Sequence, residues 1–125
     1  FAMEIVKILS VDYSKMGAEI AALRKNNIRL RKYVCFFKQF YDAESDTDME
    51  ICPRDMECER CGKLLETSVS QEELGRVLGE SKHVVASWET GRTSPDMQHI
   101  LALCTICGLD MGDFIRSSSV ALKPE

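Results

Sequence analysis

Three cysteines close together in the middle of the chain are the residues best suited to metal chemistry. Cys52, Cys58 and Cys61 fall within ten residues, and Gly62 completes a Cys-x-x-Cys-Gly turn. This turn is typical of zinc knuckles, and structural zinc is bound by four thiolate or imidazole ligands in a tetrahedron. Cys35 is the natural fourth ligand. The spacing therefore predicts a structural zinc site.

Other interpretations of the cysteines stay open. His99 or His83 could supply the fourth ligand, and the three clustered thiols could instead be reduced loop residues or a redox-sensitive or electrophile-sensitive switch. Cys104 and Cys107 form a second Cys-x-x-Cys on an amphipathic helix, where we expect both to be core residues. Six cysteines without a secretory segment predict a reducing compartment, the cytoplasm.

The charge of the chain is unevenly distributed. The net charge is −4, but residues 1–41 carry eight Lys and Arg against three Asp and Glu, whereas residues 42–73 carry three against eleven. Because DNA affinity depends on where the cations lie, this composition does not exclude nucleic acid. No apolar run approaches the roughly 18 residues needed to cross a membrane, so we expect no membrane partner.

The C-terminal part of the chain carries regular helix start and stop signals. Four short helices are predicted, each opened by a capping side chain, and the first three ended by glycine. Two of them joined by about three residues have helix-turn-helix geometry. The start signals are Ser70 with Glu73 in a capping box, Ser81, Ser94 with Pro95, and Asp110, and the stop signals are Gly79, Gly91 and Gly108. The expected core residues are Leu74, Leu78, Val85, Trp88, Ile100, Leu101, Cys104, Leu109 and Phe114.

The runs SQEELGRVLGES from Ser70 and WETGRTSP from Trp88 resemble the XRE/Cro family of phage-repressor-like helix-turn-helix transcription regulators. The resemblance covers residues 69–115. It implies a mostly α-helical, lambda-repressor-like domain that binds double-stranded DNA with its second helix in the major groove, and we expect a dimeric repressor. It places Lys82, His83 and Ser87 against base edges and Gln71, Thr90 and Arg92 against phosphates.

The segment from Ser14 to Tyr41 is predicted to be one long helix. Its apolar residues recur at alternating spacings of four and three, which is the a/d seam of a coiled coil. Asn27 falls in the seam, where a lone Asn can fix the register of a dimer. Packing within the chain is the alternative. The predicted seam residues are Ile20, Leu23, Asn27, Leu30, Val34 and Phe37.

These features predict four segments. The family's first helix leads almost directly into its second, whereas here some forty residues intervene. Either residues 16–27 form that first helix and an insertion follows, which we favour, or Glu57–Glu66 replace it. The segments are an N-terminal helical segment at 1–45, an acidic Cys-containing insertion at 46–66, the helix-turn-helix domain at 67–116 and a flexible tail at 117–125.

Two other functions fit the same features. One is an antitoxin-type module that binds a protein partner, with the acidic stretch 42–59 as the binding segment, and represses its own operon. The other is a thiol-responsive or metal-responsive regulator. An enzyme is not expected, because the sequence has no Ser/His/Asp set, phosphate-binding loop or two-His metal motif.

Metal analysis of freshly purified protein tests the zinc site. We expect about one equivalent of zinc per chain, because structural sites hold the ion tightly. Less than about 0.2 equivalents would remove the site, since a structural metal is retained on purification.

Overall fold

Six helices and two short strands make up residues 8–41 and 68–121, the part of the chain that this computed structural model describes. The two strands pair antiparallel, so that both ends of the described chain meet. The predicted mostly α-helical fold is confirmed. The elements in chain order are β1 (Leu9–Val11), α1 (Tyr13–Asn26), α2 (Ile28–Tyr41), α3 (Gln71–Leu78), α4 (Lys82–Glu89), α5 (Met97–Cys107), α6 (Met111–Ser117) and β2 (Ser119–Ala121).

Local capping contacts fix α3 as its sequence predicts. The Ser70 hydroxyl accepts a hydrogen bond from the Glu73 amide at 3.0 Å, and the Glu73 carboxylate accepts one from the Ser70 amide at 2.9 Å. Burial raises the pKa of Glu73, but its ion pair with Lys38 and these Ser70 bonds outweigh that effect and lower the pKa overall. Gly79 ends α3 in the left-handed conformation, at φ +76°.

Two predicted boundaries are wrong. The third helix of the C-terminal part was expected to start at Ser94, but α5 starts after Asp96, whose carboxylate accepts from the His99 amide at 2.9 Å. The tail 117–125 was expected to be flexible, but its first residues are ordered by packing. Ser118 is fully buried, and β2 pairs with β1.

The prediction of one continuous helix from Ser14 to Tyr41 is also wrong, because the chain breaks at Asn27. Its backbone is extended, at ψ 119°, and its side-chain oxygen accepts from the Leu30 amide at 2.9 Å. Its side-chain nitrogen donates to the Cys107 carbonyl at 3.2 Å. Asn27 therefore acts as the N-cap that starts α2 as a separate helix, not as a register-setting seam residue.

The residues predicted to form a dimer seam serve instead as core residues of this chain. Ile20, Leu30 and Val34 are fully buried, while Leu23 and Phe37 are partly buried. The break at the seam's midpoint turns α2 so that it packs against α3 and α5. The apolar face of α1 and α2 is thus used within the chain.

The core draws apolar side chains from all six helices that the structure describes. Most of the predicted core residues are buried, but Leu101 and Leu109 are 47% and 38% exposed.

Helix α1 makes an unusually close contact with α4. A Cβ atom on Gly17 would overlap the Trp88 carbonyl oxygen and lie 2.7 Å from the Glu89 carbonyl oxygen. The favoured position of the first helix, residues 16–27, agrees with this packing; Glu57–Glu66 lie outside the described residues.

Replacing Gly17 with alanine tests the α1–α4 contact. Alanine favours a helix, but the added Cβ must push two packed backbones apart, so Gly17→Ala should lower the free energy of unfolding by about 1–3 kcal/mol. Urea denaturation measures the change. The control Ala18→Ser, at an exposed position of the same helix, should change stability by less than about 0.5 kcal/mol. Equal stability of both variants with the parent would contradict the close approach.

Candidate nucleic-acid interface

A tight turn holds α3 and α4 in their relative orientation. The Glu80 amide donates to the Gly75 carbonyl at 2.7 Å, and a Cβ on Gly75 would lie 2.6 Å from the Glu80 carbonyl oxygen. Ser81 then caps α4 by accepting from the Val84 amide at 3.3 Å. Trp88 is buried, as its spacing predicts. The turn and the buried Trp88 side chain together determine which side of α4 faces solvent.

The side of α4 opposite its buried residues is open to solvent. The predicted base-reading residues Lys82 and His83 are exposed, and Ser87 is half-buried one turn further on. Neither Lys82 nor His83 makes a side-chain hydrogen bond or ion pair with any residue that the structure describes. Ala86 lies on the same face, since 100° of rotation per residue places it between Lys82 and His83 around the helix axis.

The predicted phosphate ligands all lie near the C-terminal end of α4. Thr90 and Arg92 are exposed in the turn after α4, and the Thr90 hydroxyl donates to the Ser87 carbonyl at 3.2 Å. The start of α1 lies beside the same turn, because a Cβ on Gly91 would be 2.8 Å from the Ser14 hydroxyl oxygen. Gln71, at the start of α3, is partly engaged in an internal hydrogen bond.

That internal bond belongs to a buried ion pair between α1 and α4. The Arg24 guanidinium donates to both carboxylate oxygens of Glu89, at 2.8 and 2.9 Å, and their side chains are only 13% and 9% exposed. A third bond runs from Arg24 to the Val69 carbonyl at 2.9 Å. The Gln71 amide donates to Glu89 at 3.3 Å. One carboxylate thus connects the first helix, the start of α3 and the end of α4.

Arg24, Glu89 and Ala86 are the residues that sequence reasoning missed. Arg24 and Glu89 are 65 positions apart, and no local pattern relates them. Ala86 could have been found from the spacings of three and four that link His83, Ala86 and Thr90 on one face. A small apolar residue in that place can contact the methyl group of thymine.

The His99 ring braces the N-terminal end of α5. Its Nε2 lies 3.1 Å from the Glu80 carboxylate, its Nδ1 lies 2.7 Å from the Asp96 carboxylate, and its ring is 5.1 Å from that of Trp88. Both ring nitrogens are therefore engaged. No group of three potential metal ligands occurs within residues 8–41 and 68–121.

The described cysteines are buried, as expected for Cys104 and Cys107 but not for Cys35, which was predicted to be a zinc ligand. Cys35, Cys104 and Cys107 are each at most 3% exposed. Burial, followed by the nearby Asp110 carboxylate, raises the pKa of Cys104, and burial followed by Cys104 raises that of Cys107 to about 12. Such thiols are poor nucleophiles. The clustered ligands predicted for zinc, Cys52, Cys58 and Cys61, lie outside the described residues.

The fold and this site define a helix-turn-helix DNA-binding domain. Residues 64–114 match the helix-turn-helix family, and this segment is a domain of the XRE type, as the sequence motifs predict. The family is DNA-binding, regulatory and typically non-enzymatic. No curated protein and no solved structure shows a significant match to the chain. Among the described residues, no helix has both the length and the apolarity to cross a membrane.

Removing one partner tests the buried ion pair. Arg24→Met leaves the Glu89 carboxylate buried without its cation, which should cost about 3–5 kcal/mol of unfolding free energy. The double variant Arg24→Met/Glu89→Met should lose less than the sum of the two single losses. Urea denaturation of the three variants measures the coupling.

The exposed pair between Arg116 and Asp113 is the matched control, because both side chains are more than half exposed. Arg116→Met should change stability by less than about 1 kcal/mol. Purely additive effects at Arg24 and Glu89 would show that the two side chains do not depend on each other.

Proposed function

We propose that this chain is a sequence-specific transcription regulator, a dimeric repressor that reads the major groove with α4. The observation that carries the proposal is the open face of α4, where Lys82 and His83 are exposed and free of protein partners among the described residues. A helix braced by its buried side can enter the groove without rearrangement. The family match to residues 64–114 supports DNA binding in general.

The chemistry of that face suits base recognition. The Lys82 ammonium can donate to guanine O6 and N7, and the His83 ring can donate to or accept from a purine edge. Ser87 can pair with either kind of base, and Ala86 adds an apolar contact for thymine. These side chains supply the sequence-specific part of binding.

The flanking residues supply contacts to the DNA backbone. Arg92 and the Thr90 hydroxyl follow the recognition helix, and Lys15 is exposed one residue beyond the Ser14–Gly91 contact. The second hydrogen of the Gln71 amide stays available while the first bonds to Glu89. Phosphate contacts near the C-terminal end of α4 fix the orientation of docking.

A repressor of this type acts on paired half-sites in the cytoplasm. Two α4 helices related by a two-fold axis would read half-sites about 34 Å apart on one face of the duplex. Bound there, the dimer occludes a promoter. The clustered cysteines at 52, 58 and 61, with Cys35 as the fourth ligand, are proposed to hold structural zinc.

The function is tested in two steps. Bound fragments are first selected from random duplexes, and the protein is then titrated on the best duplex and on unrelated DNA. Lys82→Ala/His83→Ala should bind both duplexes with equal affinity, losing at least about tenfold in discrimination, because each base contact contributes about 1–3 kcal/mol. Arg92→Ala should weaken binding to both duplexes and reduce the slope of log affinity against log salt by about one.

Lys25→Ala is the matched control, since Lys25 is exposed at the far end of α1. It should leave discrimination and salt slope unchanged. Thermal unfolding of the Lys82→Ala/His83→Ala variant should match the parent, because both side chains face solvent. Retained discrimination in that variant, or failure of the parent to select any duplex, would contradict the proposal.

A further inference from the structure

A buried cation without an anionic partner lies near the start of α2. Arg31 is only 8% exposed, and Val34 and Cys35, one turn further on, are fully buried, so position 31 belongs to the inner side of the helix. Among the described residues, the Arg31 guanidinium makes one hydrogen bond, from Nη2 to the Lys25 carbonyl at 2.9 Å, and its buried Nε–H has no acceptor. Arginine is rarely buried without a counter-charge, because desolvating an unpaired cation is costly.

The sequence on either side of Arg31 supplies cations but no anion. From Ala21 to Tyr41 the chain contains six Lys and Arg and no Asp or Glu. Arg29 extends over the end of α5, where a Cβ on Gly108 would lie 2.6 Å from its Nη1. Lys25 is exposed, and its ammonium has no partner among the described residues. The junction of α1 and α2 therefore carries positive charge that the described part of the chain does not compensate.

The start of α2 adds hydrogen-bond donors at the same junction. The Asn27 side-chain oxygen and carbonyl accept from the amides of Leu30 and Arg31, at 2.9 and 3.2 Å. The amides of Ile28 and Arg29 have no partner among the described residues, and both residues are exposed. Unpaired amides at a helix N-terminus carry partial positive charge and bind anions. The Arg31 side chain is directed to this end of α2, since its Nη2 reaches the last turn of α1.

We propose that this junction, formed by Arg31, Lys25 and the amides of Ile28 and Arg29, binds a phosphate group carried by a small molecule. A planar guanidinium donates to two phosphate oxygens at once, and the remaining oxygens can accept from the helix amides. The second negative charge of a phosphate matches the ammonium of Lys25. A bound anion would also explain a buried Nε–H that has no acceptor.

The position of this phosphate site separates it from the proposed DNA interface. Lys25 follows Ser14, which lies beside the turn after α4, by eleven residues of helix, so the site is about 17 Å further along α1. It also lies outside residues 64–114, the segment that matches the helix-turn-helix family. A small phosphate compound is therefore favoured over the phosphates of the duplex that α4 contacts.

Inorganic phosphate and adenosine 5′-monophosphate are the probes that test the site. At constant ionic strength, about 20 mM of either should raise the Tm of the parent by at least about 3 °C, if the dissociation constant is about 1 mM or lower. Sodium chloride should not. In NMR titrations the amide resonances of Ile28 and Arg29 and the Nε–H resonance of Arg31 should move. Tighter binding of the nucleotide would identify an ester as the ligand, and tighter binding of inorganic phosphate the free ion; either result supports the site.

Arg31→Met removes the guanidinium but keeps a long apolar side chain in the buried position. It should weaken phosphate binding at least about tenfold, because hydrogen bonds between charged groups contribute about 1.5–3 kcal/mol. Without phosphate its Tm should stay within about 3 °C of the parent, since no ion pair is lost, in contrast to Arg24→Met. Arg116→Met is the matched control, because Arg116 is exposed and pairs with Asp113; it should bind phosphate as the parent does.

Four results would overturn the inference. Phosphate could fail to stabilise the parent more than chloride does, or Arg31→Met could keep the parent's phosphate affinity. A loss of stability in phosphate-free buffer as large as that of Arg24→Met would show that the chain itself supplies the counter-ion. A salt slope for the selected duplex that falls by about one in Arg31→Met would assign the site to the DNA backbone. Selection of a duplex by the parent is independent of the first three results.

Discussion

The buried ion pair between Arg24 and Glu89 is the constraint on which the DNA-binding domain depends. Removing one partner of such a pair is costly, because the other charge then stays buried without its counter-ion. The pair therefore favours the one arrangement in which Arg24 and Glu89 meet. The further bond from Arg24 to Val69 fixes the chain where it enters α3. The pair thereby holds α1 in one register against α4, although some forty residues separate α1 from α3 along the chain.

From this constraint follows the rigidity of α4. Gly17 lets α1 approach the Trp88 backbone, and His99 contacts the Trp88 ring from the α5 side. With its inner side held in this way, α4 presents the backbone of Lys82 and His83 in a fixed position. A braced helix needs no backbone reordering on binding, which favours discrimination between base sequences.

Local signals predicted the C-terminal helices well because their caps depend on neighbours three or four residues away, as at Ser70 and Gly79. Spacing alone could not separate a dimer seam from a core face at Asn27, since the deciding partner, the Cys107 carbonyl, lies 80 positions away. For the same reason Leu101 was predicted as a core residue: helical periodicity identifies an apolar residue but not what covers it. The Arg24–Glu89 pair left no local pattern at all.

The most direct test of the central claim is an NMR titration. The backbone amide chemical shifts of the full chain are recorded while the selected duplex is added. The account predicts the largest changes at residues 82–92, with smaller changes near Gln71 and at the start of α1, and none of these with an unrelated duplex at high salt. Changes concentrated on α2 or α5, with residues 82–92 unaffected, would contradict it.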